Sequence, residues 1–284
     1  MNLCDQRTIQ DLLGRHGFHF SKSMGQNFLI DPQIPADIAA SSQADKTCGV
    51  LEIGPGIGPL TSELAQRAGK VVSVELDKAL LPVLAETMAP YSNVEIVPGD
   101  AMKLDLAALA AEKFQGLTPI VCANLPYNIT TPVLTKLVET PCFESITVLI
   151  QKEVAQRLAA PQGSSDGGSF SLFLQYHMET EMLFDVPREK FLPSPKVTSA
   201  VLRCVRRKKP AVDVADEAFF FKVVRGAFLL RRKTLANSLA SALPQFSKED
   251  IQAAIQACGL DPAVRGERLT LQNFADLAAT LAER

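Results

Sequence analysis

The sequence predicts an α/β fold, in which a doubly wound, mostly parallel sheet of seven strands is followed by a small all-α domain. Short apolar runs rich in β-branched residues alternate with helix-like segments through the first two thirds of the chain, a pattern typical of parallel sheets. After Pro210 only helical patterns follow, with apolar residues at three-to-four spacing. We therefore predict one domain over residues 1–211 and a helical domain over residues 212–284.

The predicted strands are joined by two kinds of connection. In chain order they are GVLEIG, KVVSVEL, NVEIVPGD, PIVCANL, SITVLIQ, EMLFDV and TSAVLRCV. Each of the first five precedes a helix-like segment or a turn, so we expect these strands to run in parallel. No long helix separates the last two, which predicts a hairpin at one edge of the sheet. Pro82 lies in the helix expected after KVVSVEL and indicates that this helix begins late.

The segment PQGSSDGGSFS, residues 161–171, is rich in Gly, Ser and Asp. This composition predicts a flexible loop. A plain linker and a mobile substrate lid both remain open for it.

The composition is that of a globular protein. The chain has 284 residues, of which 47% are hydrophobic, and this is enough for a sizeable core. No apolar run approaches the roughly 20 residues of a membrane helix, and the N-terminus is too polar for a secretory signal. The six cysteines are far apart and lie away from the three histidines, so we expect no metal site and no disulfide framework. We expect a cytoplasmic protein.

The charge is unevenly distributed along the chain. The formal net charge is -2, yet the stretch from Arg203 to Ser238 holds ten basic and three acidic residues. This segregation predicts an electropositive face that meets a polyanion, with an ordinary solvated surface as the alternative. The residues that we expect to contact the polyanion are Arg225, Arg231, Arg232 and Lys233.

The sharpest local motif is VLEIGPGIG, a buried strand that runs into a glycine turn. Glycines in such a turn let the backbone approach a ligand at the carboxyl edge of the sheet. A dinucleotide fingerprint would need glycine at position 59, where Pro59 stands. The G-x-G-x-G spacing from Gly54 to Gly58, with Glu52 in the strand, fits the methyltransferase version, in which the turn wraps a cofactor without a pyrophosphate. A purely structural glycine turn is the alternative.

Acidic residues at the ends of the next two strands strengthen this interpretation. Glu75 closes KVVSVEL, 21 residues after Gly54, where a carboxylate can accept hydrogen bonds from both ribose hydroxyls of an adenosyl group. Asp100 follows NVEIVPG and can accept a hydrogen bond from the adenine amine. Either acid alone is more typical of a solvated loop, but their places on successive strand ends favour a cofactor site.

After the fourth strand comes the segment Asn124, Leu125, Pro126 and Tyr127. The N6 amine of adenine is a poor nucleophile because its lone pair is delocalised into the ring. The Asn124 side-chain oxygen and a backbone carbonyl held by Pro126 can accept hydrogen bonds from that amine, while Tyr127 offers a face on which the base stacks. As a bare tetrapeptide the segment is also compatible with an ordinary strand-to-turn junction.

Several motifs together make the chain resemble the ribosomal RNA adenine N6-dimethyltransferases, in particular the branch that acts on small-subunit (16S) RNA. Beyond VLEIGPGIGPLT and NLPYNI, the motifs are KSMGQNFLID, FLPSPKVTSAVLR, LLRRKTLANSL and GERLTLQNFADL, in the family's order over nearly the whole chain. The resemblance implies a Rossmann-like class I methyltransferase that uses S-adenosylmethionine and no metal. The loop at residues 161–171 departs from the version known in relatives, which puts its contacts to RNA in doubt.

The resemblance also implies roles for matched residues. Asn27 and Leu29 would belong to an N-terminal segment that closes over S-adenosylmethionine, and Phe191 would sandwich the target adenine against Tyr127. The further implied cofactor contacts are Gly54, Glu75, Asp100 and Asn124. Two adjacent adenosines near the 3' end of the small-subunit RNA would each receive two methyl groups, late in assembly of the small ribosomal subunit. We expect a monomer that binds this subunit or its precursor, and no membrane.

Three other functions are compatible with parts of the sequence. An NAD-linked oxidoreductase shares the fold and the glycine turn, but it leaves NLPY unexplained. A non-catalytic RNA-binding assembly factor would keep the basic helical domain without needing Glu75, Asp100 or NLPY. A large-subunit RNA adenine N6-methyltransferase is the nearest alternative. The long helical appendage and the motif RRKTLANSL favour the small-subunit enzyme over it.

Overall fold

A computed structural model describes residues 1–18 and 26–284 and divides them into two compact units. The first unit comprises Met1–Ala155 and Glu181–Arg206, and the second comprises Gln156–Thr180 and Arg207–Arg284. The larger segment of the second unit begins at Arg207, close to the boundary predicted near residue 211, but the unit also contains Gln156–Thr180, which the prediction assigned to the first domain. That segment lies between two strands of the sheet in the chain, so the alternation of strands and helices gave no indication that it belongs to the second unit.

The sheet has the seven predicted strands, and the predicted α/β class is confirmed. The strands of the chain, in order, are β1 Phe28–Leu29, β2 Cys48–Ile53, β3 Lys70–Glu75, β4 Val94–Pro98, β5 Thr118–Asn124, β6 Ser145–Gln151, β7 Met178–Val186, β8 Phe191–Leu192 and β9 Ser199–Arg206. The order across the large sheet is β4-β3-β2-β5-β6-β9-β7, and β1 pairs with β8 in a separate two-stranded ribbon.

The strands from β2 to β6 pair in parallel, whereas β9 is antiparallel to β6. As predicted, β7 and β9 are neighbours at one edge. The connection between them is longer than a tight hairpin turn, because it contains β8. The chain builds outward from β2 through β3 to β4 and then returns to the other side of β2 with β5. This reversal opens a crevice at the carboxyl ends of β2 and β5, which is where such sheets bind ligands.

Helices flank the sheet in the first unit and form the second. In chain order they are α1 Gln6–Arg15, α2 Gln33–Ser41, α3 Pro59–Arg67, α4 Leu81–Thr87, α5 Leu106–Lys113, α6 Thr130–Glu139, α7 Lys152–Ala159, α8 Ser169–His177, α9 Glu217–Ala227, α10 Leu235–Ala242, α11 Lys248–Ala257 and α12 Leu271–Ala282. Pro82 stands in the first turn of α4, after a short 3-10 turn. The late start predicted for this helix is therefore correct, since the first turn needs no amide donor from proline.

The second unit is held by one apolar core. Phe220, Leu239, Ile251 and Phe274, from four successive helices, are buried in it, and Tyr176 of α8 joins them. Tyr176 packs against Phe220 with 5.4 Å between ring centroids. The burial of Tyr176 explains why the inserted segment belongs to this unit, since leaving so large a side chain in water would forfeit its hydrophobic stabilisation.

The loop predicted over residues 161–171 is shorter than expected, because its last three residues begin α8, and it is anchored within the second unit. The amide of Leu271, the first residue of α12, donates to Oε1 of Gln162 over 2.9 Å. Gly163 has φ +78°, and a side chain there would lie 3.2 Å from the carbonyl oxygen of Arg268. The loop thus caps the start of α12. Gln162 accepts the hydrogen bond, and Gly163 allows the loop to approach the backbone closely. The composition of the loop did not predict this role. Over residues 1–18 and 26–284, every helix is too short or too polar to cross a bilayer.

Candidate active site

A cavity of about 280 Å³ opens at the carboxyl ends of β2, β3, β4 and β5. Its walls include all the residues that we predicted to contact the cofactor, namely Asn27, Leu29, Gly54, Glu75, Asp100 and Asn124. Leu125, Pro126 and Tyr127 also line it. The fold thus brings together residues that lie far apart in the sequence, because parallel strands end at the same edge of the sheet.

The glycine turn forms the floor of this cavity. Gly54 has φ +70° and Gly56 has φ +63°, values that L side chains rarely adopt. A Cβ atom on Gly56 would lie 3.1 Å from Cε1 of Phe28, so the N-terminal segment packs closely over the turn. The Gly54 amide donates to the Val74 carbonyl over 3.0 Å, which ties the turn to β3. The backbone is therefore bare on the side that faces the cavity.

Glu75 is the last residue of β3, and its side chain is buried at the cavity wall. Its Oε1 atom accepts a hydrogen bond of 2.7 Å from the amide of Asp77. Burial raises the pKa of Glu75 from 4.5 to about 7, because the surrounding protein solvates the charged form poorly. A ligand that donates hydrogen bonds to this carboxylate would replace the missing solvation.

A second buried acid, Glu52, lies under the glycine turn. The hydroxyls of Thr61 and Ser73 both donate to its Oε2 atom over 2.6 Å, which links β2, β3 and α3. Burial and, to a smaller extent, the nearby charge of Glu75 raise the pKa of Glu52 to about 7, against the hydrogen bonds from Ser73 and Thr61, which lower it. The sequence marked Glu52 as part of the motif, but it could not show that two carboxyl groups share one poorly solvated region.

Asp100 stands in the loop that follows β4, and this loop is held from α6. The Met102 amide donates to Oδ1 of Asp100 over 2.9 Å. The Lys136 ammonium donates to the backbone carbonyls of Met102 at 2.8 Å and Leu104 at 2.6 Å. We did not predict a role for Lys136, because a lysine on a helix is indistinguishable in sequence from a solvated charge. The structure makes it the support of the Asp100 loop.

The lip of the cavity is apolar. The Leu76 side chain is 52% exposed and that of Met102 is 37% exposed, and both line the cavity. Large apolar side chains at a concave site mark a surface that a ligand covers. Neither residue was predicted, although the position of Leu76 directly after Glu75 could have suggested it. Beside Glu75 and Asp100, this lip suits a flat, apolar ring that carries polar edges.

The NLPY segment forms the opposite wall of the cavity. The Leu125 amide donates to the Leu149 carbonyl over 3.1 Å, so β5 keeps its register with β6 up to this point. The half-buried Asn124 side chain has no hydrogen-bond partner among the described residues and lines the cavity. The Tyr127 ring is also half-buried, and burial raises the pKa of its phenol. A free amide and an aromatic face thus lie side by side.

The N-terminal segment reaches the cavity from above. The Gln26 side-chain amide donates to Oδ2 of Asp77 over 2.8 Å, and Asn27 and Leu29 line the cavity. Residues 22–25 of the KSMGQNFLID motif lie outside the described residues. Phe191 pairs with Leu29 across the β1·β8 ribbon but is only 2% exposed. In the described structure Phe191 belongs to the core and is not among the residues that line the cavity.

The basic residues of the predicted polyanion-binding stretch divide into two groups. Seven are exposed on the second unit, namely Lys208, Lys209, Lys222, Arg225, Arg231, Arg232 and Lys233. The charges of three others are used internally. Arg203 pairs with Glu181 at 2.7 Å, Arg207 pairs with Glu179 at 3.0 Å, and Arg206 donates to the carbonyls that end α6. The exposed basic surface is therefore smaller than the charge count predicted.

The fold and this cavity define a class I methyltransferase, because the glycine turn, the acids on successive strand ends and the NLPY wall surround one site. The model of the ribosomal RNA adenine dimethylase family matches residues 17–283. The chain belongs to this family, and it is an S-adenosylmethionine-dependent methyltransferase of ribosomal RNA adenines. The described residues contain no group of His, Cys, Asp and Glu that could hold a metal ion.

Curated relatives share nearly half of the sequence. One, from Geobacillus sp. (strain WCH70), is named ribosomal RNA small subunit methyltransferase A and is 47% identical over 276 residues, 96% of this chain and 95% of the relative. Another of the same name, from Geobacillus kaustophilus (strain HTA426), is 48% identical over 277 residues, 96% of this chain and 94% of the relative.

Solved structures share the fold. The 23S rRNA methyltransferase ErmE superimposes with a TM-score of 0.70 at 27% identity, covering 90% of this chain and 99% of that one. A dimethyladenosine transferase from Plasmodium falciparum superimposes with a TM-score of 0.73 at 24% identity, covering 88% of this chain and 95% of that one. The second likeness bears on the fold alone.

Proposed function

We propose that this protein transfers two methyl groups to the N6 amine of each of two adjacent adenosines near the 3' end of the small-subunit (16S) ribosomal RNA. It would act as a monomer in the cytoplasm, late in assembly of the small subunit. The observation that carries the proposal is that Gly54, Glu75, Asp100 and Asn124 surround one cavity of which Tyr127 forms a wall. The names of the curated relatives support the choice of RNA.

The residues of the cavity fit S-adenosylmethionine. The raised pKa of Glu75 suits a carboxylate that gains two ribose hydroxyls as hydrogen-bond donors. Asp100 would accept from the adenine amine, and the exposed Leu76 and Met102 would cover the ring faces. When bound, S-adenosylmethionine supplies an electrophilic methyl group. Asn27 and Leu29 would close the site from above, which excludes water.

The chemistry that the protein supplies is alignment and hydrogen bonding. The Asn124 side-chain oxygen and the Leu125 carbonyl, whose direction Pro126 restrains, would accept the two amine hydrogens of the target adenine in the first transfer, and one of them would accept the single remaining hydrogen in the second. Both acceptors favour a pyramidal nitrogen, whose lone pair is then available for attack. The remaining contribution is to hold that nitrogen in line with the methyl group. The bond between the methyl group and the sulfonium sulfur would break as the new bond to nitrogen forms, and the positively charged nitrogen would then lose a proton to water. No general base with a shifted pKa is needed.

The target base would be flipped out and stacked on Tyr127. We propose that Phe191 forms the second face of this sandwich. Because Phe191 is buried in the core, this role requires the β8 segment to move when RNA binds. The exposed cluster of Arg225, Arg231, Arg232 and Lys233 would contact RNA phosphates.

The proposal is tested by supplying S-adenosylmethionine with a labelled methyl group to undermethylated small subunits and identifying the labelled nucleosides. We expect N6,N6-dimethyladenosine at two adjacent positions near the 3' end. Asn124→Ala should lower the rate at least about 100-fold while RNA binding is retained. Unchanged turnover of that variant would refute the mechanism, and label in another nucleoside would refute the reaction.

A large-subunit substrate is the second candidate, and one observation favours it. The 23S rRNA methyltransferase ErmE is 27% identical and covers 90% of this chain. The curated relatives named for the small subunit are more similar, at 47% and 48%. A parallel incubation with large-subunit RNA discriminates between the two, since only the true substrate should accept label. A non-catalytic assembly factor would label neither.

A further inference from the structure

The phenol of Tyr127 is held from a distant part of the chain. Its Oη atom lies 2.6 Å from Oγ of Ser199, although the two residues are 72 positions apart. This distance is at the short end of the range for hydrogen bonds between hydroxyl groups. The contact therefore connects the NLPY wall to the start of β9.

Ser199 is a rigid point of attachment. It is fully buried, and it pairs with Gln151 in the antiparallel ladder between β6 and β9. The Lys152 amide donates to the neighbouring Thr198 carbonyl over 3.0 Å, which extends that ladder. Among the described residues, the Ser199 hydroxyl has Tyr127 as its hydrogen-bond partner. The buried hydroxyl and the phenol thus satisfy each other, as buried polar groups must.

The bond restrains the ring that faces the cavity. Tyr127 begins a 3-10 turn, so its backbone is held at one end of the side chain. The hydrogen bond holds the other end, so the position of the ring, set by χ1, is fixed at both ends. Oη lies on the axis about which the ring turns, so the orientation of the ring plane is favoured only through the preference of the phenolic hydrogen for that plane. A side chain ordered before its ligand arrives loses little further conformational entropy on binding. The wall of the site is therefore organised in advance.

We propose that Ser199 is a positioning residue for methyl transfer, which holds the Tyr127 ring at the place where the target adenine stacks. The inference rests on the proposed function, since it takes Tyr127 as a stacking face. Ser199 acts through Tyr127 and does not touch the RNA or the methyl donor. The segment from Phe191 to Ser199 then supports both rings that enclose the target adenine. It provides the Phe191 ring itself and holds the Tyr127 ring through the hydrogen bond with Ser199.

A double-mutant cycle tests this role. Ser199→Ala and Tyr127→Phe each remove one partner of the same bond, and a third variant carries both changes. We expect each single change to slow single-turnover methyl transfer to undermethylated small subunits by on the order of five- to tenfold. The double variant should be no slower than Tyr127→Phe alone, because the bond can be lost only once. Affinity for S-adenosylhomocysteine should stay within about twofold of the wild type.

Thr147→Val is the matched control. Thr147 lies in the neighbouring strand β6 and is fully buried, but its hydroxyl has no hydrogen-bond partner among the described residues. The change removes a buried hydroxyl from the same sheet without removing a bond, so the rate should not fall. A rate loss equal to that of Ser199→Ala would assign the effect to the sheet and overturn the inference.

The outcomes separate this inference from the proposed function. Wild-type turnover of Ser199→Ala beside an inactive Tyr127→Ala would overturn the positioning role and leave base stacking in place. Full activity of Tyr127→Ala would overturn both. Independent, additive losses in the double variant would mean that Ser199 acts on another group. If Ser199→Ala does not fold, Tyr127→Phe decides, since the wild-type rate in that variant contradicts any role for the bond.

Discussion

Leu29 and Phe191 occupy facing positions in the ribbon formed by β1 and β8. Leu29 lines the cavity, whereas Phe191 is the residue for which we propose a role against the target base. Two further contacts hold the ribbon: the Ile30 amide donates to the Lys190 carbonyl over 2.9 Å, and the Lys190 ammonium lies 2.6 Å from Oδ2 of Asp31. The segment that we expect to cover the methyl donor and the segment that we expect to contact the base are thus joined in one ribbon.

Breaking the ion pair at the end of this ribbon should weaken the closure of the cofactor site. We expect Lys190→Met to reduce the affinity for S-adenosylhomocysteine by about two- to fivefold, the range for a partly exposed pair. Arg188→Met is the control, because Arg188 stands in the same turn but pairs with its neighbour Glu189. Calorimetric titration measures both. Equal affinities of the two variants would show that the ion pair does not contribute.

The raised pKa of Glu75 predicts a pH-dependent stability. Its carboxyl group ionises near pH 4.5 in the unfolded chain but near pH 7 in the folded protein, so the folded state binds more protons between these values. The ligand-free protein therefore loses stability as the pH rises from about 4.5 to about 7. We expect Glu75→Gln to raise the Tm by on the order of 2 to 4 °C at pH 8, with no gain at pH 4.

Glu95, a carboxyl group whose pKa is lowered in the folded protein, serves as the control for Glu75→Gln. Hydrogen bonding by Lys113 lowers the pKa of Glu95, with Lys70 adding to the effect. The contribution of this carboxylate to stability is present above its unfolded pKa and is lost as the pH falls. Glu95→Gln should therefore lower the Tm at pH 8. Thermal denaturation at the two pH values measures both variants, and a shift of the same sign in both would contradict the assignment.

Lys136 should matter for the methyl donor although it is not expected to touch it. Lys136→Met removes the two hydrogen bonds that hold the loop carrying Asp100, and we expect S-adenosylhomocysteine to bind about three- to tenfold more weakly. Lys46→Met is matched to it, because the Lys46 ammonium also donates to two backbone carbonyls, those of Gln66 and Ala68. Gln66 and Ala68 do not line the cavity, so the Lys46→Met variant should bind S-adenosylhomocysteine as tightly as the wild type does.

The two groups of basic residues should respond differently to neutralisation. Replacing Arg231, Arg232 and Lys233 by glutamine should weaken RNA binding and reduce the salt dependence of the affinity, because each phosphate contact releases a counterion. Arg203→Gln should leave that slope unaltered, since its guanidinium is paired with Glu181. Binding measured over a series of salt concentrations gives the slopes. A slope that changes only in Arg203→Gln would place the RNA elsewhere.

Local patterns in the sequence were enough to predict the seven strands, the late start of α4 and the cavity residues Gly54, Glu75, Asp100 and Asn124. Asn27 and Leu29 were implied only by the family resemblance. They failed where a residue works through a distant partner. Lys136, Ser199 and the buried environment of Glu52 carry no local signal, because their roles depend on contacts across the sheet. The inserted segment with Tyr176 was misassigned for the same reason, since its partners lie in α9 and beyond.

By itself the sequence determined the class of fold, the glycine turn and the order of polar groups on successive strand ends, because each depends on residue type and short spacing. Only the tertiary structure decided which arginines are exposed and which are paired, where Phe191 lies and what holds the Tyr127 ring. Those outcomes depend on burial and on pairing between strands and helices far apart in the chain. Such contacts are set by how the whole sheet packs, and no local stretch of residues encodes them.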